Sequence, residues 1–409
     1  MIPGLNDYEQ KFQVFSKPII KPGLTAMETA LERLGNPHKN LRVVHLAGTN
    51  GKGSTLTYVE AIARQHGLKT GAFLSPAIET VHDQLRINGQ AVSKAQMESV
   101  FTRLQQAQIS SMCTEFELLT CAAFVLFELE KVDVAIIEAG LGGRFDSTNV
   151  VTPIVSIITS IALEHTNFLG TTIASIAHHK AGIIKANTTA VIGTVNEEAF
   201  AVIEAEAKKV GAELDIFGQA FQLEGDAYRD ETFYIEALRP GMLGQHQLHN
   251  AVLAIRAMTH IITLEPQLVT AAIRTASLPF RFERVTNSLY FDGAHNPASA
   301  EKLVATITDH FPNKRVHFIV GMLADKDVQQ VLSIFETISD HFVFVDFDNE
   351  RAMSAEQLLS ISHANFKRIE TEPVPYVVHC AQQQQHITVV TGSLYLLASL
   401  RAKVLTHLI

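Results

Sequence analysis

The stretch Val43-Val44-His45-Leu46-Ala47-Gly48-Thr49-Asn50-Gly51-Lys52-Gly53-Ser54 constrains the fold of this chain more than any other. It reads as an apolar strand over 42–48, a glycine-rich loop carrying one lysine, and a helix over 54–66 that stops at Gly67. Backbone N–H groups of such a loop can wrap a phosphate chain, and the helix N-terminus adds partial positive charge. Lys52 can neutralise phosphate oxygens, and the hydroxyl of Ser54 can hold Mg²⁺. The spacing departs from the usual P-loop: Leu46 stands five residues before Gly51, and Gly53 separates Lys52 from the hydroxyl. A nucleotide site is predicted, but not one of the GTPase or kinase kind.

Further apolar runs recur at 69–75 (KTGAFLS), 132–138 (VDVAIIE) and 153–159 (PIVSIIT), separated mostly by helical patterns such as SKAQMESVFTRLQQA and TEFELLTCAAFVLFELEK. This alternation predicts an α/β fold with a mainly parallel sheet covered on both faces. Within 188–237, the segments TAVIGTV, AELDIFG and ETFYIEAL read as a small additional sheet or flap. After a helix at about 247–264 and a linker at 277–284, the runs SLYFDGAH, KRVHFIVGM, HFVFVDF and HITVVTG predict a second, smaller α/β domain. The division is expected at 1–280 and 281–409. A length of 409 residues suits two or three domains, and 47% hydrophobic residues supply their cores.

Ligands of open α/β sheets gather at the carboxyl ends of strands. Four positions qualify: the glycine loop, Ser75 before Pro76, Glu138 at the end of an apolar run, and Glu164-His165. Hydroxyl, carboxylate and imidazole can together surround a divalent metal beside a triphosphate. Taken singly, Ser75 reads as a turn residue, His165 as a hydrogen-bonded histidine and Lys180 as a solvated helix lysine. A carboxylate buried at Glu138 needs a partner. Thr114 and Glu117 have capping-box spacing. In Asp292-Gly293-Ala294-His295-Asn296-Pro297, Asn296 fits an N-cap and Pro297 the first helical position, which leaves Asp292 and His295 for a ligand. Asp325-Lys326-Asp327 reads as a solvated loop.

Net charge of −9 disfavours nucleic acid, so local lysines, arginines and metal must attract an anionic substrate. Three cysteines without metal-type spacing suit a reduced, cytoplasmic protein. The N-terminus has no signal-peptide pattern, and no apolar run approaches the ~20 residues of a membrane helix.

In order along the chain, GTNGKGS (48–54), LSP (74–76), VDVAIIEAGLGGRFDSTNV (132–150), EHTNFLG (164–170), KAGIIK (180–185), GQHQLHNA (244–251), RFE (281–283), DGAHNP (292–297) and MLADKD (322–327) resemble the folylpolyglutamate synthase and dihydrofolate synthase family of the Mur ligase superfamily. The resemblance implies a P-loop ATPase domain of Mur-ligase type followed by a smaller Rossmann-like domain. It implies an ATP-dependent amide ligase that adds L-glutamate to reduced folates, or joins it to dihydropteroate, with ATP and Mg²⁺ at two sites and a monomeric chain. By the same resemblance, Gly48, Thr49, Asn50, Gly51, Lys52, Gly53, Ser54, Asn250, Arg281, Asp292 and His295 bind ATP. Ser54, Ser75, Glu138 and His165 lie at the metal sites, and Lys52, His165 and Lys180 serve catalysis. Lys180 matches a lysine that is carbamylated in many members. Arg281, Asp292 and His295 would close over ATP from the linker and second domain. The chain departs from the family pattern at Ala77, where a histidine or aromatic residue is usual, and at Asp83-Gln84, where Glu-Arg is expected. It departs again in PFRFE rather than PGRFE, and at Glu164 in place of the commoner Asp. The changes after Ser75 point to an altered acceptor preference. They leave open a paralogous ligase for another carboxylated acceptor, or a nucleotide-binding regulator.

Overall fold

The computed structural model describes residues 2–18, 23–383 and 385–408. The chain divides into two compact units, Met1–Gly241 with Leu248–Ala276, and Met242–Gln247 with Ser277–Ile409.

Among the described residues the large sheet of the first unit has eight strands: β1 (Val43–Ala47), β2 (Thr70–Phe73), β3 (Leu85–Ile87), β4 (Gln90–Ala91), β5 (Val134–Glu138), β6 (Val155–Ile158), β7 (Thr189–Ile192) and β8 (Glu213–Ile216). Their order is β4-β3-β2-β5-β1-β6-β7-β8. From β2 to β8 every neighbouring pair runs parallel, and β3 and β4 add an antiparallel edge. The central strands VVHLA, VAIIE and VSII are buried at every residue, as expected where helices cover both faces. The helix Glu115–Glu130 shows how locally this is encoded. Thr114 accepts a hydrogen bond from Glu117 N, and the Glu117 carboxylate accepts from Thr114 N at 2.7 Å, so the spacing T-x-x-E starts the helix. Residues Leu118–Phe127 are then buried without a break, because this helix lies inside the core rather than on it.

The flap expected within 188–237 needs correction. TAVIGTV and AELDIFG form β7 and β8, which extend the large sheet in parallel, joined by the helix Glu197–Val210. The small antiparallel sheet consists of β9 (Phe221–Glu224), β10 (Ala227–Asp230) and β11 (Tyr234–Ile235), and only β11 lies in the third expected segment. Short apolar runs carry no information on which sheet they join; the helix between two of them is what enforces a parallel crossover.

Among the described residues the second unit holds six strands: β12 (Glu283–Arg284), β13 (Leu289–Phe291), β14 (Arg315–Val320), β15 (His341–Val345), β16 (Phe366–Glu370) and β17 (His386–Thr391). The order is β12-β13-β17-β14-β15-β16, parallel except for the hairpin β12–β13. Sequence reading misses β16, whose FKRIE is exposed over its first three residues. It is an edge strand, and Lys367 and Arg368 are the charges that discourage further pairing.

Candidate active site

The glycine loop leaves β1 and enters the helix Lys52–Gln65, which starts two residues earlier than the spacing predicts. Gly51 caps that helix at φ 89°, in the left-handed region. The segment after β6 clamps the loop. Thr49 N donates to Ser160 O at 2.9 Å and Asn50 N to Ser160 Oγ at 3.0 Å. Thr159 Oγ1 and Ser160 Oγ donate to Asn50 O, at 2.7 and 3.0 Å. Thr49 Oγ1 donates to Ala162 O and accepts from Ala162 N. Gly48 must be glycine here, since a Cβ would collide with Thr159 Oγ1. Lys52 curls back over the loop, with Nζ donating to Gly48 O at 2.9 Å and Thr49 O at 3.3 Å and lying 3.9 Å from Glu138 Oε1. Ser54 is buried one turn into the helix. The glycine at the cap is also hemmed in, because a Cβ on Gly51 would stand 2.5 Å from Asn250 Oδ1.

A comparison within one helix tests that close approach. Gly51→Ala and Gly67→Ala both place alanine at positive φ, but a Cβ on Gly67 meets open space. Each is expected to lower unfolding free energy in urea by about 1–2 kcal/mol. Only Gly51→Ala is expected to weaken nucleotide binding, measured by calorimetry.

Sheet order brings the other candidates to the loop. Ser75 follows β2, Glu138 ends β5, the loop leaves β1 and His165 follows β6, and these four strands are adjacent. Glu138 is buried, paired in register with Leu46 of β1. Ser75 is half-buried and joined to Pro76 by a cis peptide bond. His165 is exposed, caps the short helix Thr166–Leu169 at φ 51°, and places Nε2 4.0 Å from Glu164 Oε1. Among the described residues no three His, Cys, Asp or Glu side chains converge to hold a metal ion by themselves. One carboxylate, one imidazole and two hydroxyls still suit Mg²⁺, which keeps several waters and is completed by substrate phosphates rather than caged by protein.

Lys180 is not the solvated lysine its pattern suggests. It is buried at the end of the helix Ile173–Ala181. Burial pushes its pKa down to about 7, the charge of Lys52 pushes the same way, and Glu164 and Asp146 oppose them. The turn around it is pinned by the loop 139–150. Arg144 N donates to His179 O at 2.7 Å, Asn149 Nδ2 to Gly182 O at 3.0 Å, and Arg144 reaches Glu206 at 2.8 Å. Asp146 accepts from Leu141 N, Thr148 N and Thr148 Oγ1, and Thr148 Oγ1 in turn meets His45 Nε2 at 2.9 Å. Since that hydroxyl donates to Asp146, His45 Nε2 must carry its own proton; Nδ1 is buried without a partner.

In the first unit Asn250 lies on the helix Gln245–Thr259, buried and facing Gly51. In the second unit Asp292 follows β13 and accepts from Phe282 N at 2.8 Å and Ala294 N at 2.9 Å. Burial raises its pKa, with Arg281 and His295 opposing. Arg281 Nη1 donates to Phe280 O, and His295 Nδ1 donates to Gly293 O at 2.7 Å. The three side chains therefore share one corner of the unit. Asn296 accepts from Ser299 N as N-cap and Pro297 opens the helix, as expected. Asp327 is more than a solvated loop residue, since it caps the helix Val328–Phe335 by accepting from Gln330 N.

The Mur ligase middle domain matches residues 46–258, and the Mur ligase glutamate ligase domain matches 280–394. The chain is 35% identical over 410 residues to the dihydrofolate synthase/folylpolyglutamate synthase of Bacillus subtilis, covering 94% of this chain and 95% of that protein. It belongs to the folylpolyglutamate synthase and dihydrofolate synthase family of Mur ligases. Escherichia coli FolC in complex with DHPP and ADP superposes with a TM-score of 0.88 at 30% identity, covering 97% of each chain. A bifunctional folylpolyglutamate synthase/dihydrofolate synthase with Mn, AMPPNP and L-glutamate bound gives 0.85 at 30% identity, covering 94% of each.

Against the Mur ligase pattern, Asp83 and Gln84 have structural work of their own. Asp83 accepts from Glu79 N and Thr80 N and closes the capping box of the turn Val81–Gln84. Gln84 is buried and donates from Nε2 to Leu74 O at 3.2 Å. Ala77 is buried as well. Sequence reading assigned no role to His45, Arg144, Asp146, Thr148 or Asn149. One signal was present, a histidine inside the apolar run VVHLA, since a buried polar group there needs a partner.

Proposed function

We propose that this protein is an ATP-dependent amide ligase that adds L-glutamate to reduced folates, or joins it to dihydropteroate. The observation carrying this reading is the delivery of a phosphate-wrapping loop, Lys52, a buried Glu138, Ser75 and His165 by four adjacent strands, in a family whose relatives bind ADP, AMPPNP, Mn and L-glutamate. An acceptor carboxylate oxygen attacks the γ-phosphorus of ATP, the bond to the bridging oxygen breaks, and ADP leaves. The glutamate amine, entering as the free base, then attacks the acyl carbon, the C–O bond to phosphate breaks, and the departing phosphate takes the proton that the nitrogen loses. Crowding of anionic oxygens dominates the first step. The backbone N–H groups of Gly48 to Gly53 and the ammonium of Lys52 take up that charge. Ser54, Ser75, Glu138 and His165 would hold Mg²⁺ at two sites, where it neutralises phosphate oxygens. Asn250 from the first unit and Arg281, Asp292 and His295 from the second are assigned to ATP. Lys180, half neutral near pH 7, is the amine available for carbamylation by CO₂, and the carbamate would add an acidic group beside the metal.

We further assign a monomeric, cytoplasmic protein. Its three cysteines are buried and unpaired, and among the described residues no helix is long and apolar enough to cross a membrane. The test is phosphate release with ATP, Mg²⁺ and L-glutamate, adding tetrahydrofolate or dihydropteroate in turn. Stimulation by either acceptor, with an amide-linked glutamate product in the mass spectrum, is expected. Stimulation by neither sinks the folate reading. ATP binding with no turnover for any carboxylated acceptor would mark a regulator.

A further inference from the structure

The residue that departs from the family pattern beside the Ser75 loop carries an unusual bond pattern. Leu74 N donates to Gln84 O at 2.9 Å, and Gln84 Nε2 donates to Leu74 O at 3.2 Å. One residue thus takes both backbone polar groups of Leu74, the first position beyond the ladders that end at Phe73 with Leu85 and Ile137. Gln84 is 2% exposed, and its Oε1 is buried with no hydrogen-bond partner. An orphaned acceptor of this kind costs on the order of 1–3 kcal/mol, which Leu or Met of similar length would avoid. What Gln84 supplies in return is the amide donor to Leu74 O. Its own support is rigid: Val81 N donates to Pro3 O at 2.7 Å, and His82 is held between Val92 O and Tyr8 Oη.

We propose that Gln84 is a positioning residue for Ser75: by fixing the Leu74 peptide, it sets where the Ser75 hydroxyl stands for the metal. The inference rests on the assignment of Ser75 to a metal site in the preceding section. It moves the Gln84 difference from acceptor choice to metal support, for which the Asp83 cap and the buried Gln84 amide both speak.

The test is Mn²⁺ binding to the intact protein with AMPPNP, followed by the electron paramagnetic resonance of free Mn²⁺, for Ser75→Ala, Gln84→Met, Gln84→Arg and the double variant Ser75→Ala/Gln84→Met. Gln84→Met removes the donor and is expected to weaken Mn²⁺ binding about 10-fold, while Gln84→Arg, which keeps donors toward Leu74 O, stays within about twofold. The double variant should bind no more weakly than Ser75→Ala, since Gln84 acts through Ser75. The KM for the acceptor should be unchanged in Gln84→Met. Unaltered Mn²⁺ binding in Gln84→Met beside a weakened Ser75→Ala overturns the role of Gln84 and leaves the metal assignment standing. Additive losses, or a raised acceptor KM with normal Mn²⁺ binding, overturn it too. Normal Mn²⁺ binding in Ser75→Ala removes the metal assignment itself, and the positioning role with it. Should Gln84→Met fail to fold by circular dichroism, Gln84→Arg decides: a 10-fold loss there, in a folded protein, counts against the proposal.

Discussion

Lys52→Met is expected to lower the rate of phosphate release by about two to three orders of magnitude, the cost of removing one preorganised charge from a transition state. Nζ is already held at the loop, bonded to Gly48 O and Thr49 O and 3.9 Å from Glu138 Oε1. At that separation two unit charges interact by roughly 4 kcal/mol at an effective dielectric near 20. A phosphoryl oxygen held at a similar distance from Nζ would meet an attraction of the same order. ATP affinity should fall far less, because the backbone N–H groups remain. Rate and affinity therefore separate, and steady-state kinetics with calorimetric ATP binding measure both. Equal losses in the two would mean that Lys52 merely binds nucleotide.

Acidification should destabilise the first unit through His45. Burial, aided by Lys185, lowers the His45 pKa from 6.5 to about 3. Between those values the unfolded chain takes up a proton that the folded chain refuses, so stability is intact above pH 6.5 and is lost as pH falls toward 3. One such histidine removes about 1.4 kcal/mol per pH unit, or about 2 kcal/mol by pH 5. His45→Gln keeps an amide donor for Thr148 and does not titrate. Its urea-unfolding free energy should therefore lie closer to that of the parent at pH 5 than at pH 7, by about 2 kcal/mol. A gap that stays constant between the two pH values rules out His45 as the source. His38, lowered to about 4 by burial, adds to the acid sensitivity of both proteins alike.

What could be read from the sequence followed from local rules. Strands β1, β2, β5 and β6 were legible as apolar runs, and the capping boxes at Thr114 and the N-cap at Asn296 as short polar signals. Rules for strand ends point to Ser75, Glu138 and His165, and the strands that precede them lie together in the sheet. What was illegible depended on contacts far apart in the chain. No local feature separates a buried Lys180 from a solvated one, because its environment is made by Asp146, Glu164 and Lys52. Assignment of β7 and β8 to a flap failed for the same reason, since sheet membership is a property of partners. The bonds of Asp83 to Thr80 and of Gln84 to Leu74 were equally illegible, because those contacts exist only once the chain is folded.

The central place of β1 in its sheet also sets the order in which this molecule can be made. The strand that carries the phosphate loop pairs with Ala135–Glu138 on one side and Val155–Ile158 on the other. Both partners leave the ribosome long after β1 does. Until then an apolar strand with two open edges must wait in the nascent chain, and such edges invite pairing with other chains. Contacts this distant in sequence fold slowly. A truncation just before β6 is therefore expected to yield an aggregating polypeptide rather than a smaller working one, because one edge of β1 would stay open.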